Sequence, residues 1–142
     1  MKIKRYLKSI NVLYPQIELC GVDISESQIQ QAKKYLSEQK NISLFVKDGL
    51  HLPFPDKHFD MAITYGCFSA VKKKNLNLIF SEIVRTTKSK GIFIEYQTSM
   101  VWNVFKDKHY WYSHKYDRLF KDFQYSVKTI NEIGDSLFIV EL

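Results

Sequence analysis

Glycine is scarce in this chain: five of 142 residues, none of them before Gly21. The opening stretch therefore has no glycine-rich loop through which backbone amides could closely approach an anionic ligand. Cysteine is scarcer still. Cys20 and Cys67 lie far apart, each in an apolar segment and without C-x-x-C spacing. That excludes a disulfide framework or a cysteine-based metal site, and it reads as reduced thiols in a cytoplasmic protein. Long apolar runs are missing, so no segment is long enough to cross a bilayer as a helix. The N-terminus starts basic, but no uninterrupted apolar core follows, so it does not read as a signal peptide. There is no internal repeat and no low-complexity stretch.

The length suits one domain, and a hydrophobic content of 45% suits a packed core. A net charge of +6 favours contact with anions in general without choosing one.

Ile3, Leu7, Ile10 and Leu13 recur at helical spacing until Pro15 ends the pattern. Residues 17–22 form a short apolar run that reads as a strand closed by Asp23. Ser25 and Gln28 then fit a capping box, and Ile29, Ala32 and Leu36 supply the buried stripe of the helix it opens. Residues 42–46 read as a second strand, ending in Lys47-Asp48-Gly49. After a loop with Pro53 and Pro55, residues 59–65 read as a third. Leu76, Ile79, Phe80, Ile83 and Val84 mark another amphipathic helix, and Gly91 opens a fourth strand over residues 92–96. Strands alternating with helices predict right-handed crossovers and a mostly parallel sheet. Residues 126–133 and 136–142 flank Gly134-Asp135 and predict a closing antiparallel hairpin.

Ligands of an open parallel sheet bind beyond the carboxyl ends of its strands. Those ends are Asp23-Ile24, Asp48-Gly49-Leu50, Tyr65-Gly66 and Tyr96-Gln97. A carboxylate there can accept from both hydroxyls of a ribose, and Ile24 and Leu50 could sandwich a flat adenine ring. The plainer alternatives are that Asp23 helps cap the next helix and that Asp48-Gly49 only makes a turn. Two aspartates at successive strand ends favour the ligand reading.

At these residues a resemblance emerges. G-V-D-I-S at 21–25 with Ile29 and Ala32, followed by K-D-G-L-H-L-P-F-P-D-K-H-F-D-M-A-I-T at 47–64, resembles the class I S-adenosylmethionine (SAM)-dependent methyltransferases, in particular their small-molecule branch. The order of the later helix, Lys90-Gly91 and the following strand matches as well. The resemblance covers residues 1 to about 97 and, more weakly, the hairpin. It implies an α/β, Rossmann-like sheet, mostly parallel with a C-terminal antiparallel hairpin. It also implies SAM as cofactor and a small-molecule acceptor. Asp23 takes the place of the family's ribose-binding acid and Asp48 that of the residue facing the adenine amino group. Ile24, Gly49, Leu50 and Tyr65 line the same site.

The departure from the family lies at the front. The family's first strand and G-x-G-like loop have no counterpart, so the expectation is a single, partial domain over residues 1–142 that begins at the helix after that loop. The missing strand would lie between those ending at Asp23 and Tyr65. Impaired activity and self-association to complete the sheet are then expected. A non-catalytic remnant or binding module of the same fold is the alternative. A nicotinamide dinucleotide domain shares the acidic residue but fits Asp48-Gly49 and the hairpin poorly. Positive charge among aromatics in residues 102–123 suggests nucleic acid, but Asp107, Asp117 and Asp122 interrupt the stripe.

No catalytic base is assigned. His109, Tyr110 and His114 qualify by chemistry alone, and surface or packing roles explain them more simply. Lys72-Lys73-Lys74 reads as a solvated loop rather than an anion site. Residues 99–124 are aromatic-rich and form the candidate acceptor lid, with Tyr116, Phe120 and Phe123 at the helical spacing of core residues.

Overall fold

The structure is a computed structural model that describes residues 3–96, 114–130 and 135–142. Contacts divide the chain into two compact units, Met1–Leu52 and Pro53–Leu142. The expected alternation is present in the order α1 (Ile3–Leu13), β1 (Leu19–Asp23), α2 (Glu26–Tyr35), β2 (Ile42–Val46), β3 (Phe59–Tyr65), a 3-10 turn (Phe68–Ala70), α3 (Lys73–Thr86), β4 (Thr87–Tyr96), α4 (Tyr116–Leu119), β5 (Tyr125–Thr129) and β6 (Asp135–Glu141).

In the first unit β1 and β2 pair in parallel, with Leu19 opposite Ile42 and Asp23 opposite Val46. Leu7 of α1, Ala32 of α2 and Leu36 form its buried core, with Leu19, Ile42 and Leu44 against them. Gly21 permits this packing. A Cβ there would meet Leu44 Cδ2 at 2.7 Å and Leu7 Cδ1 at 2.9 Å. The ladder starts at Leu19, later than the apolar pattern implies, and Ile17 is exposed. The reason is Asn41. Its side-chain amide donates to the Ile17 carbonyl at 2.7 Å and to Asn11 Oδ1 at 2.6 Å, fastening the turn after α1 before the ladder begins.

The capping box at α2 is only half formed. Ser25 Oγ accepts from Gln28 N at 3.4 Å, as the spacing predicts. The reciprocal bond is made by a different residue: Ser25 N donates to Asp23 Oδ1 at 2.9 Å.

In the second unit the strand order is β3-β4-β6-β5. β3 and β4 are parallel, and β4, β6 and β5 are antiparallel, which is the predicted closing hairpin. Among the described residues β1 and β3 each have a single strand partner. β4 begins at Thr87 rather than Gly91, because α3 runs into it without a loop and Thr87 pairs with Phe59. Arg85 at the end of α3 holds the L-P-F-P segment. Its guanidinium donates to the Phe54 carbonyl and to Asp56, both at 2.8 Å, while Glu82 takes its other side.

The core of this unit is aromatic. Phe68, Phe80, Phe93, Tyr116, Phe120 and Phe138 are all buried, and Phe93 contacts Phe68 and Phe120 at ring separations of 5.3 and 5.2 Å. Tyr116 and Phe120, with Phe123 packed against them, therefore take the core role their spacing predicts. The remainder of the candidate lid, with His109, Tyr110, Trp111 and Tyr112, lies outside the described residues, as does Gln97.

Candidate functional site

Five of the six sequence-selected residues gather in the first unit. The parallel register ends β1 and β2 side by side, and Lys47 N donates to the Asp23 carbonyl at 3.0 Å just past the last ladder pair. Asp23-Ile24 and Asp48-Gly49-Leu50 thus emerge from neighbouring strand ends, which parallel pairing places roughly 4.8 Å apart.

Both aspartates do what the plainer reading required of them. Asp23 Oδ1 accepts from Ser25 N at 2.9 Å, and Asp48 Oδ1 accepts from Leu50 N at 3.0 Å. In each case this is an Asx turn closing on the amide two residues on. It occupies only Oδ1. Oδ2 of each has no donor among the described residues, so a carboxylate already oriented by its own turn keeps an oxygen for a ligand. Ile24 is 71% exposed, an apolar side chain held in solvent at the strand end, while Leu50 is half-buried. Two oriented acceptors beside two aliphatic side chains fit a ribose hydroxyl pair and a flat heterocycle. Nothing in the first unit upstream of Gly21 supplies a glycine loop for the rest of such a cofactor.

Tyr65 ends β3 in the second unit and is half-buried. The chain reverses after it at Gly66, whose φ of 58° is left-handed, a conformation glycine adopts without strain. Gly66 N donates to the Ile94 carbonyl at 2.7 Å, and the 3-10 turn follows.

Beneath that turn lies a residue the sequence reading did not single out. Glu95 is 1% exposed. Its Oε1 accepts from Thr64 Oγ1 at 2.8 Å and from Cys67 N at 3.2 Å, and its Oε2 accepts from Phe68 N at 3.1 Å. Burial raises its pKa to about 7, against the opposing pull of these hydrogen bonds. The signal available in the sequence was an acidic residue two positions after Phe93 in an apolar strand, and hence on the same sheet face.

His114 is placed in a packing role. Its Nε2 lies 2.7 Å from the Phe68 carbonyl and 2.9 Å from that of Val71. Two acceptors require the proton on that nitrogen, and burial holds the ring's pKa below the usual histidine value. Lys72, Lys73 and Lys74 are exposed, but only Lys72 lies outside the helix: Lys73 and Lys74 open α3 instead of forming the expected loop.

Parallel strands alternating with helices define a Rossmann-like class of α/β protein, whose ligands bind beyond the carboxyl ends of the strands. The comparisons make this specific. The sequence pattern of the family described as "Methyltransferase domain" matches residues 5–91, and the chain belongs to that family. It is 32% identical over 123 residues to the sterol 24-C-methyltransferase of Pneumocystis carinii (strain B80), covering 84% of this chain and 28% of that protein. It is also 32% identical over 82 residues to the demethylmenaquinone methyltransferase of Staphylococcus saprophyticus, covering 58% of this chain and 34% of that protein. The chain thus spans about a third or less of these two curated relatives. A SAM-dependent methyltransferase from Methanosarcina mazei has the same fold, with a TM-score of 0.77 at 16% identity over 94% of this chain and 85% of the other. S-Adenosylmethionine is the cofactor of this class, and the fold is the one the resemblance implied.

Proposed function

We propose that this chain is the cofactor-binding part of a SAM-dependent methyltransferase that methylates a small, apolar, ring-containing acceptor. The observation that carries the cofactor part is the matched pair of Asx-turn carboxylates. Asp23 and Asp48 each keep one oxygen available at adjoining strand ends. Asp23 receives the ribose hydroxyls, Asp48 faces the adenine amino group, Ile24 and Leu50 cover the ring faces, and Gly49 lets the backbone approach; Tyr65, at the end of β3, is assigned to the cofactor by the resemblance alone. The bound cofactor supplies a methyl group already activated by its sulfonium. The protein's part is alignment, for which orientation alone can contribute roughly 7–11 kcal/mol. The acceptor class is supported by the names of two relatives, a sterol and a demethylmenaquinone methyltransferase.

Calorimetric titration of SAM against Asp23→Ala and Asp48→Ala tests the site. Loss of a charge-assisted hydrogen bond costs roughly 1.5–3 kcal/mol. Unchanged affinity in both variants would remove the ribose and adenine assignments.

A second reading, a binding module without turnover, concerns these 142 residues taken alone, among which no glycine precedes Gly21. On that basis the 142-residue chain alone binds SAM weakly and turns over poorly. A version carrying an added upstream strand and glycine-rich loop should bind more tightly in the same titration. A Kd near 1 μM for the short chain, about −8 kcal/mol, would overturn this. The edge of β1 that has no strand partner among the described residues offers a strand-pairing site to a second copy, and light scattering across a concentration series would detect that association.

A further inference from the structure

Glu95 stands on β4 with every hydrogen-bond partner a donor. Thr64 Oγ1 and the amides of Cys67 and Phe68 converge on its two oxygens. The Ser69 amide adds a further favourable interaction. These donors come from the end of β3 and from successive residues of the 3-10 turn, an arrangement of backbone amides that suits an anion. The turn is pinned elsewhere as well. Gly66 N bonds the Ile94 carbonyl at 2.7 Å, and Ser69 Oγ donates to the Gly66 carbonyl at 3.1 Å. Hence one buried side chain gathers the whole bend that carries Tyr65 and Gly66.

We propose that Glu95 is a positioning residue, whose buried carboxylate fixes the shape of the Tyr65–Ser69 bend and with it Tyr65, the residue at the end of β3 that the resemblance assigns to the cofactor. The proposal rests on the cofactor reading above and deepens it. A residue serving only to fill the core would be apolar here, since a nearly inaccessible charge is unfavourable unless several donors meet it. An amide would not substitute, because whichever way glutamine turns, its NH2 group meets the Cys67 or the Phe68 amide, neither of which can accept. The surroundings leave the carboxylate without a cationic partner among the described residues. From α4 it faces the Tyr116 phenol, which burial, Glu95 itself and Cys67 push above its ordinary value. Across the β4–β6 ladder its partner is Ser136, next to Asp135. Burial holds the His114 pKa below the usual histidine value, and its ring reaches the bend through the Phe68 carbonyl. The grip of Glu95 on the bend is therefore set by its own protonation. It is strongest when the carboxylate is ionised, and burial moves that ionisation to about pH 7.

The test compares the intact chain with Glu95→Gln and Glu95→Asp by amide hydrogen exchange. S-Adenosylhomocysteine is titrated alongside, followed through amide NMR shifts. In Glu95→Gln the Cys67 and Phe68 amides should exchange about tenfold faster or more, the usual consequence of losing a protecting hydrogen bond. The β4–β6 ladder should keep its protection. Ligand affinity should fall in Glu95→Gln and be partly restored in Glu95→Asp, which keeps the charge. In the wild type, protection of the two amides should rise between pH 6 and pH 8, while in Glu95→Gln it should stay flat. Wild-type exchange in Glu95→Gln, or equal loosening of bend and ladder, would overturn the proposal and leave only a contribution to overall stability. If Glu95→Gln does not fold, a flat pH response of the wild-type amides overturns it alone. A wild type that shows the local exchange effect but binds no S-adenosylhomocysteine overturns the cofactor reading instead, and with it the positioning role toward that ligand.

Discussion

Asp23, which ends β1, and Asp48, two residues beyond the end of β2, fold their carboxylates back in the same way, each through Oδ1 onto the amide two residues later. The local bond and the proposed ligand bond use different oxygens of one group. Capping and binding therefore reinforce each other: the turn sets the rotamer that presents Oδ2.

This separation can be measured. In Asp23→Asn the side-chain oxygen still accepts from Ser25 N, so the fold should be kept, while the charge is lost. Nucleoside affinity should drop by roughly 1–2 kcal/mol, the charge-assisted share of such a bond. Calorimetry with adenosine and SAM reads the loss, and thermal denaturation checks that the fold is intact. Equal affinity in both proteins would show that the charge is not used.

Gly21 should tolerate alanine better than valine. The atoms nearest an added Cβ are the mobile ends of Leu44 and Leu7, so a single methyl can displace them. Valine's two further methyls would press α1 away from β1 at a cost of roughly 1–3 kcal/mol. Urea denaturation of both variants gives the comparison, and a fully stable Gly21→Val would refute the close approach.

Phe93 should be among the most sensitive core positions. It is fully buried, stacks on Phe68, and its ring also lies over Gly91, where an added Cβ would strike it. Phe93→Ala should destabilise by about 3–5 kcal/mol. The same chemical denaturation measures it, with a loss under 1 kcal/mol counting against a single interlocked aromatic core.

Stability should fall as pH rises from about 4.5 to about 7. The pKa of Glu95 is higher in the folded chain than its ordinary value of 4.5, reaching about 7 because it is buried. Its contribution is fully present below 4.5 and is lost as pH climbs through the folded value. The total change is on the order of 3 kcal/mol. Glu95→Gln should flatten the curve in that window. Combined with the opposite trend in local protection of the bend, this would mark a residue that sacrifices global stability for a fixed loop.

Much of the fold was legible in the sequence because its signals are local. Helical spacing in residues 3–13, a serine cap before Ile29, and apolar runs closing on Asp23 and Val46 each depend on a few adjacent residues. So did the choice of Asp23, Ile24, Asp48, Gly49 and Leu50, since the carboxyl ends of parallel strands can be located once the strands are.

What the tertiary structure alone decided involves partners distant in sequence. Asn41 fastens the end of α1 and delays β1, over separations of 24 and 30 residues. Asp23 replaces Gln28 in the cap, because a carboxylate held at the strand end lies closer to Ser25 N than a flexible amide does. Glu95 meets Thr64, Cys67 and Phe68 only because β3 and β4 pair in parallel. Periodicity records which face a residue takes. It carries no record of which donors from another strand will surround that residue, and that convergence turns an acidic residue in an apolar run into a buried anchor with a displaced pKa.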